Sequence, residues 1–287
     1  MARLSYIDHR ADPGAWAKEL GISRAAVDLY LASEVIDLHI DSFIWTRVFG
    51  YDLCERHDRG LLGAHFYSQV DFPRILEAQV SGATWVITTN PCRVASERRA
   101  VFRENLARIR EEFARVPEQF ALVETVAQYR AARAAGKHAA FLGIQGGNAL
   151  EMDDVLAEIP GQAILRSTVV HLTSSAFGAT SAPLKRGVSG LTDKGREHIA
   201  RLNERRIFVD LAHISREGFW DAVRVSDKSQ PLLVTHTGVT GVHDHWRNLD
   251  DDQLKAIADS GGTIGVMYEA SFLGDPKFGG RASSIVD

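Results

Sequence analysis

Ile207-Phe208-Val209-Asp210-Leu211-Ala212-His213-Ile214-Ser215 opens the stretch that decides the fold, and Pro231-Leu232-Leu233-Val234-Thr235-His236 closes it. Each is a short apolar run that leads to a histidine, His213 in the first and His236 in the second. Near-continuous apolar runs, rather than strict alternation, suit parallel strands buried on both faces. Between them, Ser215 is placed to cap a helix that carries Phe219 and Val223. Strand, helix, strand is the repeating signature of an α/β fold.

The same rhythm extends outward. Seven runs read as strands, over residues 35–41, 83–89, 139–144, 167–173, 207–213, 231–236 and 262–268. Helical patterns separate them. Phe102, Leu106, Ile109 and Phe113 share one helix face, with Arg and Glu residues between. Thr192 is placed to cap a helix carrying Ile199 and Leu202, and Asp250 with Gln253 forms a capping-box pattern ended by Gly261-Gly262. No internal repeat, low-complexity tract or proline-rich linker interrupts the 287 residues. A single domain over 1–287 is expected, with 1–34 as a helical extension. A closed α/β barrel needs eight strands. Seven therefore predict either an open sheet or a missing eighth unit.

Composition narrows the function classes. Lys plus Arg is 33 and Asp plus Glu is 37, a net charge of −4, which is no electrostatic footprint for nucleic acid or an anionic membrane. With 45% hydrophobic residues, disorder is excluded as the dominant state. No apolar run approaches the roughly 20 residues that cross a bilayer. The N-terminus lacks an apolar export segment, so a cytoplasmic protein is expected. Two cysteines, Cys54 and Cys92, make neither a disulfide scaffold nor a four-thiolate zinc site. Gly146-Gly147 follows a strand but no Gly-Lys-Ser/Thr completes a phosphate loop, and there is no Gly-x-Ser-x-Gly elbow.

The 11 histidines are more telling. In Asp37-Leu38-His39-Ile40-Asp41 the period of two puts Asp37, His39 and Asp41 on one strand face, where His39 and Asp41 can ligate one cation together. His213 and His236 stand at the ends of two further strands. Strand ends of an α/β barrel converge on the active-site mouth. Imidazole and carboxylate suit zinc and similar ions, which activate water for hydrolysis. His171 falls inside a strand pattern and reads as core packing, with a supporting role beside the site or a substrate contact as the alternative. His9, His57, His138 and His198 read as surface residues, and His65 lies in a loop of open role. Arg247, after His243-Asp244-His245-Trp246, is either a surface arginine or a bidentate partner for a substrate carboxylate.

Taken together, these segments resemble the membrane (renal) dipeptidase family of zinc peptidases, within the metal-dependent amidohydrolase superfamily. The resemblance covers about residues 35–287. Asp37-Leu38-His39-Ile40-Asp41 resembles the opening metal motif, and Val70-Asp71-Phe72-Pro73-Arg74 the loop before the second strand. Gly143-Ile144-Gln145-Gly146-Gly147-Asn148 resembles the third-strand motif. Gly190-Leu191-Thr192 through Ser215 resembles the fifth unit, and His236 with Asp244-His245-Trp246-Arg247-Asn248 the sixth. The resemblance implies a (β/α)8 TIM-type barrel, here with its eighth strand missing, and commonly a homodimer. It implies His39 and Asp41 on one zinc, His213 and His236 on a second, and Arg247 on the C-terminal carboxylate of a dipeptide. A metal-bridging hydroxide would attack the peptide carbonyl.

The sequence departs from the family in three places. Gln145 stands where the family has a glutamate bridging two metals, and a neutral amide supplies no charge to offset the repulsion of two cations. One metal is therefore expected to be weak or absent, with Gln145 a poor ligand. Asn148 and Ser174 stand at substrate-side positions where the family has histidines. The family's catalytic aspartate falls on the eighth strand, beyond Asp287, so no catalytic residue is assigned. The ending Ser284-Ile285-Val286-Asp287 is expected to be a truncation. The leading expectation is a hydrolase of dipeptides or a related amide with a free carboxylate, using one or two zinc ions. The alternatives are a mononuclear amidohydrolase-like enzyme on a non-dipeptide substrate, and a non-catalytic homologue.

Overall fold

Each of the seven apolar runs forms a strand, and one further strand joins them. In chain order they are β1 (Ile36–Ile40), β2 (Gly82–Thr88), β3 (Phe120–Leu122), β4 (His138–Gln145), β5 (Arg166–Thr168), β6 (Phe208–Asp210), β7 (Leu233–Thr237) and β8 (Thr263–Val266). The helices are α1 (Pro13–Leu20), α2 (Arg24–Ala32), α3 (Phe43–Phe49), α4 (Phe72–Glu77), α5 (Ala95–Ala114), α6 (Val126–Ala134), α7 (Val155–Glu158), α8 (Asp193–Glu204), α9 (Arg216–Val225), α10 (Asp251–Asp259) and α11 (Ala270–Leu273). The computed structural model describes residues 4–57, 68–90, 92–152, 155–183, 187–274 and 285. His65 lies outside the described residues.

The strands hydrogen-bond in the order β1-β2-β4-β5-β6-β7-β8, with β3 off this path on β4. Every registered pair is parallel, from β1 on β2 to β7 on β8. This is the neighbour order of a TIM-type barrel with seven strands in the path, one fewer than eight. The path ends at β1 on one side and at β8 on the other. The fully buried β2 and nearly fully buried β4 explain their apolar runs. β8, at the end of the path, leaves Thr263 and Val266 exposed.

The chain forms two compact units, Met1–Ile87 with Arg103–Leu142, and Thr88–Phe102 with Gly143–Asp287. Helix α5 and strand β4 each run from one unit into the other. In the first unit, Asp12 and Ser23 cap α1 and α2, and Trp16, Ala17 and Val27 pack between these helices. Asp71 caps α4 and also holds Arg74, Nε to Oδ2 2.8 Å. Phe72, Trp85, Phe113 and Phe120 form an aromatic core, with Phe72 and Phe120 ring centroids 4.4 Å apart. His138 belongs to it and is not a surface residue: it opens β4, is 1% exposed and accepts from Trp85 Nε1 at 3.3 Å. Its Nδ1 donates to the Val80 carbonyl at 2.9 Å.

In the second unit, Thr192 and Ser215 cap α8 and α9, and Asp250 with Gln253 closes a capping box on α10, as the sequence leads one to expect. Gly195, in the first turn of α8, would place a Cβ 1.9 Å from the Phe177 carbonyl oxygen. Alanine usually gains about 1 kcal/mol over glycine in a helix. Here the backbone clash reverses the sign. Gly195→Ala is expected to destabilise the protein by about 1–3 kcal/mol, read as a lower urea midpoint at unchanged slope.

His198, on α8, is likewise buried rather than on the surface, and stacks on Phe177 at 4.1 Å. Burial pulls its imidazole down to about 3 and that of His138 to about 4. Both rings are neutral in the folded protein, whereas the unfolded chain takes up protons near pH 6.5. Stability is therefore full above that pH and falls as the pH drops through the window toward 4 and then 3. The urea midpoint is expected to be lower at pH 5 than at pH 7 in proportion to about 1.4 kcal/mol for each unit titrated per group. His198→Leu should flatten this dependence.

Candidate metal centre

The second unit gathers a histidine group at the C-terminal ends of its strands. His213 follows β6 in the left-handed backbone region, with φ 70°. Histidine is among the few non-glycine types enriched there, and such strain marks functional positions. Its carbonyl is held by the Ser181 N–H at 2.8 Å and the Thr180 hydroxyl at 3.2 Å. His236 lies within β7 and its carbonyl accepts from Arg247 Nη2 at 2.7 Å. The two imidazoles meet, Nε2 to Nε2, at 2.8 Å. Gln145 ends β4 and places its amide nitrogen 3.1 Å from His213 Nε2. Its other amide atom, Oε1, is buried with no hydrogen-bond partner among the described residues. His171 stands edge-on to His213, with ring centroids 4.7 Å apart. It is thus a neighbour of the histidine group, the alternative reading of this residue, rather than core packing, because β5 stops at Thr168 and the chain bends before residue 171.

Gly146 makes the turn out of β4, with φ 95° and its N–H donating to the Thr168 hydroxyl at 2.6 Å. Asn148 follows in a 3-10 turn, buried, with its carbonyl accepting from Arg98 Nε at 3.0 Å. Ser174 accepts the Thr180 N–H at 3.4 Å. Arg247 is buried, and burial pulls its guanidinium down to about 10 while the Asp210 charge opposes this. Its Nε has no hydrogen-bond partner among the described residues. A buried guanidinium with spare donors is suited to an incoming anion. The loop that carries it is pinned by Asn248, which accepts the Gly238 N–H at 3.1 Å and donates to the His243 and Phe272 carbonyls.

The first unit holds the other expected pair. His39, on β1, and Asp41, just after it, bring Nε2 and Oδ2 to 3.9 Å. The first unit also holds Asp52, Cys54 and Glu112, whose ligand atoms lie within 4.8 Å of one another. That cluster is clamped by an arginine. Arg115 bridges Asp52 at 2.8 Å and Glu112 at 2.7 Å, and burial pushes the Cys54 thiol up to about 11.

The donors around His213 suit a divalent cation. Two imidazole nitrogens on one tetrahedral zinc stand roughly 3.3 Å apart, given Zn–N bonds of about 2.0 Å. The observed pair is slightly closer, with both Nε2 atoms directed at one small region. Neutral nitrogen donors fit zinc; the amide of Gln145 adds no negative charge.

The profile of the membrane dipeptidase family, peptidase family M19, matches residues 23–282. The chain belongs to the membrane dipeptidase family. It is 30% identical over 154 residues to an uncharacterized protein from Acinetobacter calcoaceticus, a match covering 52% of this chain and 48% of that one. A match to an uncharacterized protein from Klebsiella pneumoniae is 37% identical over 84 residues, 29% of this chain and 30% of the other. These matches span half or less of those relatives. Among solved structures, a metallo peptidase from Rhodobacter sphaeroides, bound to a phosphinate mimic of the dipeptide L-Ala-D-Ala, is similar with a TM-score of 0.71 at 23% identity, covering 84% of this chain and 75% of that one. The probable dipeptidase PvdM from Pseudomonas aeruginosa gives a TM-score of 0.74 at 19% identity, covering 87% and 64%. At these identities the likeness establishes the fold. Among the described residues no helix is long and apolar enough to cross a membrane.

Proposed function

We propose that the chain is a metal-dependent hydrolase that cleaves the peptide bond of dipeptides, or of a related amide bearing a free carboxylate. The observation that carries this reading is the convergence of His213 and His236 in the same unit as a buried, partly unsatisfied Arg247. His213 and His236 would hold one zinc ion; His39 and Asp41 are the proposed ligand pair for another. A bound divalent ion supplies an activated water and polarises a carbonyl. The protein's part is to orient the substrate. Arg247 would take the free carboxylate bidentately, with Asn148 and Ser174 as further substrate contacts. Membership of the family and the dipeptide mimic bound by the Rhodobacter relative support the same substrate class.

The test compares a dipeptide and N-acyl amino-acid panel with the same compounds amidated at the C-terminus. Zinc-loaded protein should hydrolyse the free carboxylates faster and lose that activity in chelator. Equal rates on the amides would sink the role of Arg247, and no turnover with zinc bound would sink the hydrolase reading. Gln145 favours a second form of this proposal, in which the centre is mononuclear and the substrate is an amide other than a dipeptide. Its amide brings no charge to a pair of cations. One zinc per chain in the loaded protein supports that form, and two support the binuclear one.

A further inference from the structure

The buried carboxylate of Asp210 is linked to the histidine pair through Thr235. It is 0% exposed. Its Oδ1 accepts the backbone N–H groups of Ala212 at 3.1 Å and Thr235 at 3.2 Å. Its Oδ2 faces Arg166 Nη1 at 2.9 Å and accepts the Thr235 hydroxyl at 2.7 Å. The Thr235 oxygen stands 3.0 Å from Nδ1 of His236. A threonine hydroxyl has one proton to donate and lone pairs with which to accept. A carboxylate oxygen accepts only, so the proton goes to Asp210. The contact with His236 must then run the other way, with Nδ1–H donating to the Thr235 oxygen.

We propose that Thr235 is a positioning residue that links Asp210 to His236 and fixes the proton of His236 on Nδ1. In a neutral imidazole this leaves the lone pair on Nε2. Nε2 is the atom that meets His213. The linkage thus prepares the nitrogen a cation needs before any cation arrives, and it also locks the ring against rotation. Partners behind a ligand histidine act in this way in metal sites generally, through a carboxylate or carbonyl. Here a hydroxyl is interposed, and the charge balance is completed on the far side by Arg166. Three adjacent strands supply the parts: β5 gives Arg166, β6 gives Asp210, and β7 gives Thr235 and His236. The effect on metal affinity rests on the metal-centre reading above, whereas the position of the proton does not.

The experiment uses the full chain, metal-free, with histidines labelled by nitrogen-15, and reads the long-range proton–nitrogen correlations of His236. Wild-type protein should show the Nδ1–H form. Thr235→Val keeps the shape, removes the hydroxyl and should move His236 toward the Nε2–H form; Thr235→Ser should restore Nδ1–H. Zinc titration should find the valine variant weaker by about 10–100-fold and the serine variant close to wild type. A purely structural role for Thr235 would lower stability without moving the tautomer. An Nε2–H signal from wild-type protein overturns the proposal, whether or not the variants fold. So does a valine variant that keeps Nδ1–H. If the tautomer moves as expected and zinc binds none of the three proteins, the metal centre is refuted and the positioning role stands.

Discussion

Arg166→Ala is expected to lower the unfolding free energy by about 3–5 kcal/mol, the range for breaking a buried ion pair by removing one partner. Arg166 and Asp210 are 1% and 0% exposed on their side chains, and Nη1 to Oδ2 is 2.9 Å. Removing the guanidinium leaves a carboxylate in the sheet interior whose hydrogen-bond donors are all neutral, with Arg247 as a nearby cation that acts on it through its charge. The backbone N–H groups of Ala212 and Thr235 and the Thr235 hydroxyl remain, but they carry no full charge. Removing both charges is a different matter, since well-packed neutral replacements often match a buried pair in stability. Arg166→Met combined with Asp210→Asn should therefore recover part of the loss. Urea unfolding followed by circular dichroism reads both effects. A loss under about 1 kcal/mol for the single variant, the usual ceiling for exposed pairs, would mean that water reaches the pair.

His213→Ala is expected to weaken zinc binding by more than about 100-fold, since even loss of a supporting residue behind a ligand costs about 10–100-fold. Hydrolysis should fall to the level of the chelated protein. His213 is exposed to this test because of its backbone. Alanine adopts φ 70° less readily than histidine, so some stability will go with the ligand. His213→Asn keeps a residue type tolerant of that conformation while removing the imidazole. If His213→Asn folds like wild type and binds zinc equally well, His213 is not a ligand. Equilibrium dialysis with elemental analysis gives the zinc bound per chain for each protein.

The fold was legible where the residues declare themselves locally. Apolar runs marked seven strands, and Thr192, Ser215 and the Asp250–Gln253 box marked three helix starts. Strand β3 is not legible because its apolar run, Phe120–Val123 between Gln119 and Glu124, is only four residues long, shorter than the runs that carry β5 and β6. His138 and His198 are buried although their local sequence reads as helix or loop, because their burial is decided by Trp85 and Phe177, which are distant in sequence. The strand-end histidines carried the site, and His213 and His236 do meet. What the sequence could not display was Thr235 as an intermediary or Arg166 as the counter-charge. Asp210 is 25 residues from Thr235, and the pairing exists only once β6 and β7 are neighbours. A sequence signal was nonetheless present: an aspartate inside an otherwise apolar strand needs a partner.

The division of the chain also bears on how it is made. The first unit uses residues on both sides of Thr88–Phe102, so it cannot be completed until the segment Arg103–Leu142 has been synthesised. Strand β2 pairs with β4 in the sheet order, while β3 and α6 are made between them. The nascent chain therefore carries β2, every residue of which is buried in the finished fold, unpaired on that side while more than 50 further residues emerge. Exposed strands at this stage are what chaperones shield. Recovery of active protein should depend more on the rate of translation and on chaperone supply across this interval than on the stability of the finished fold.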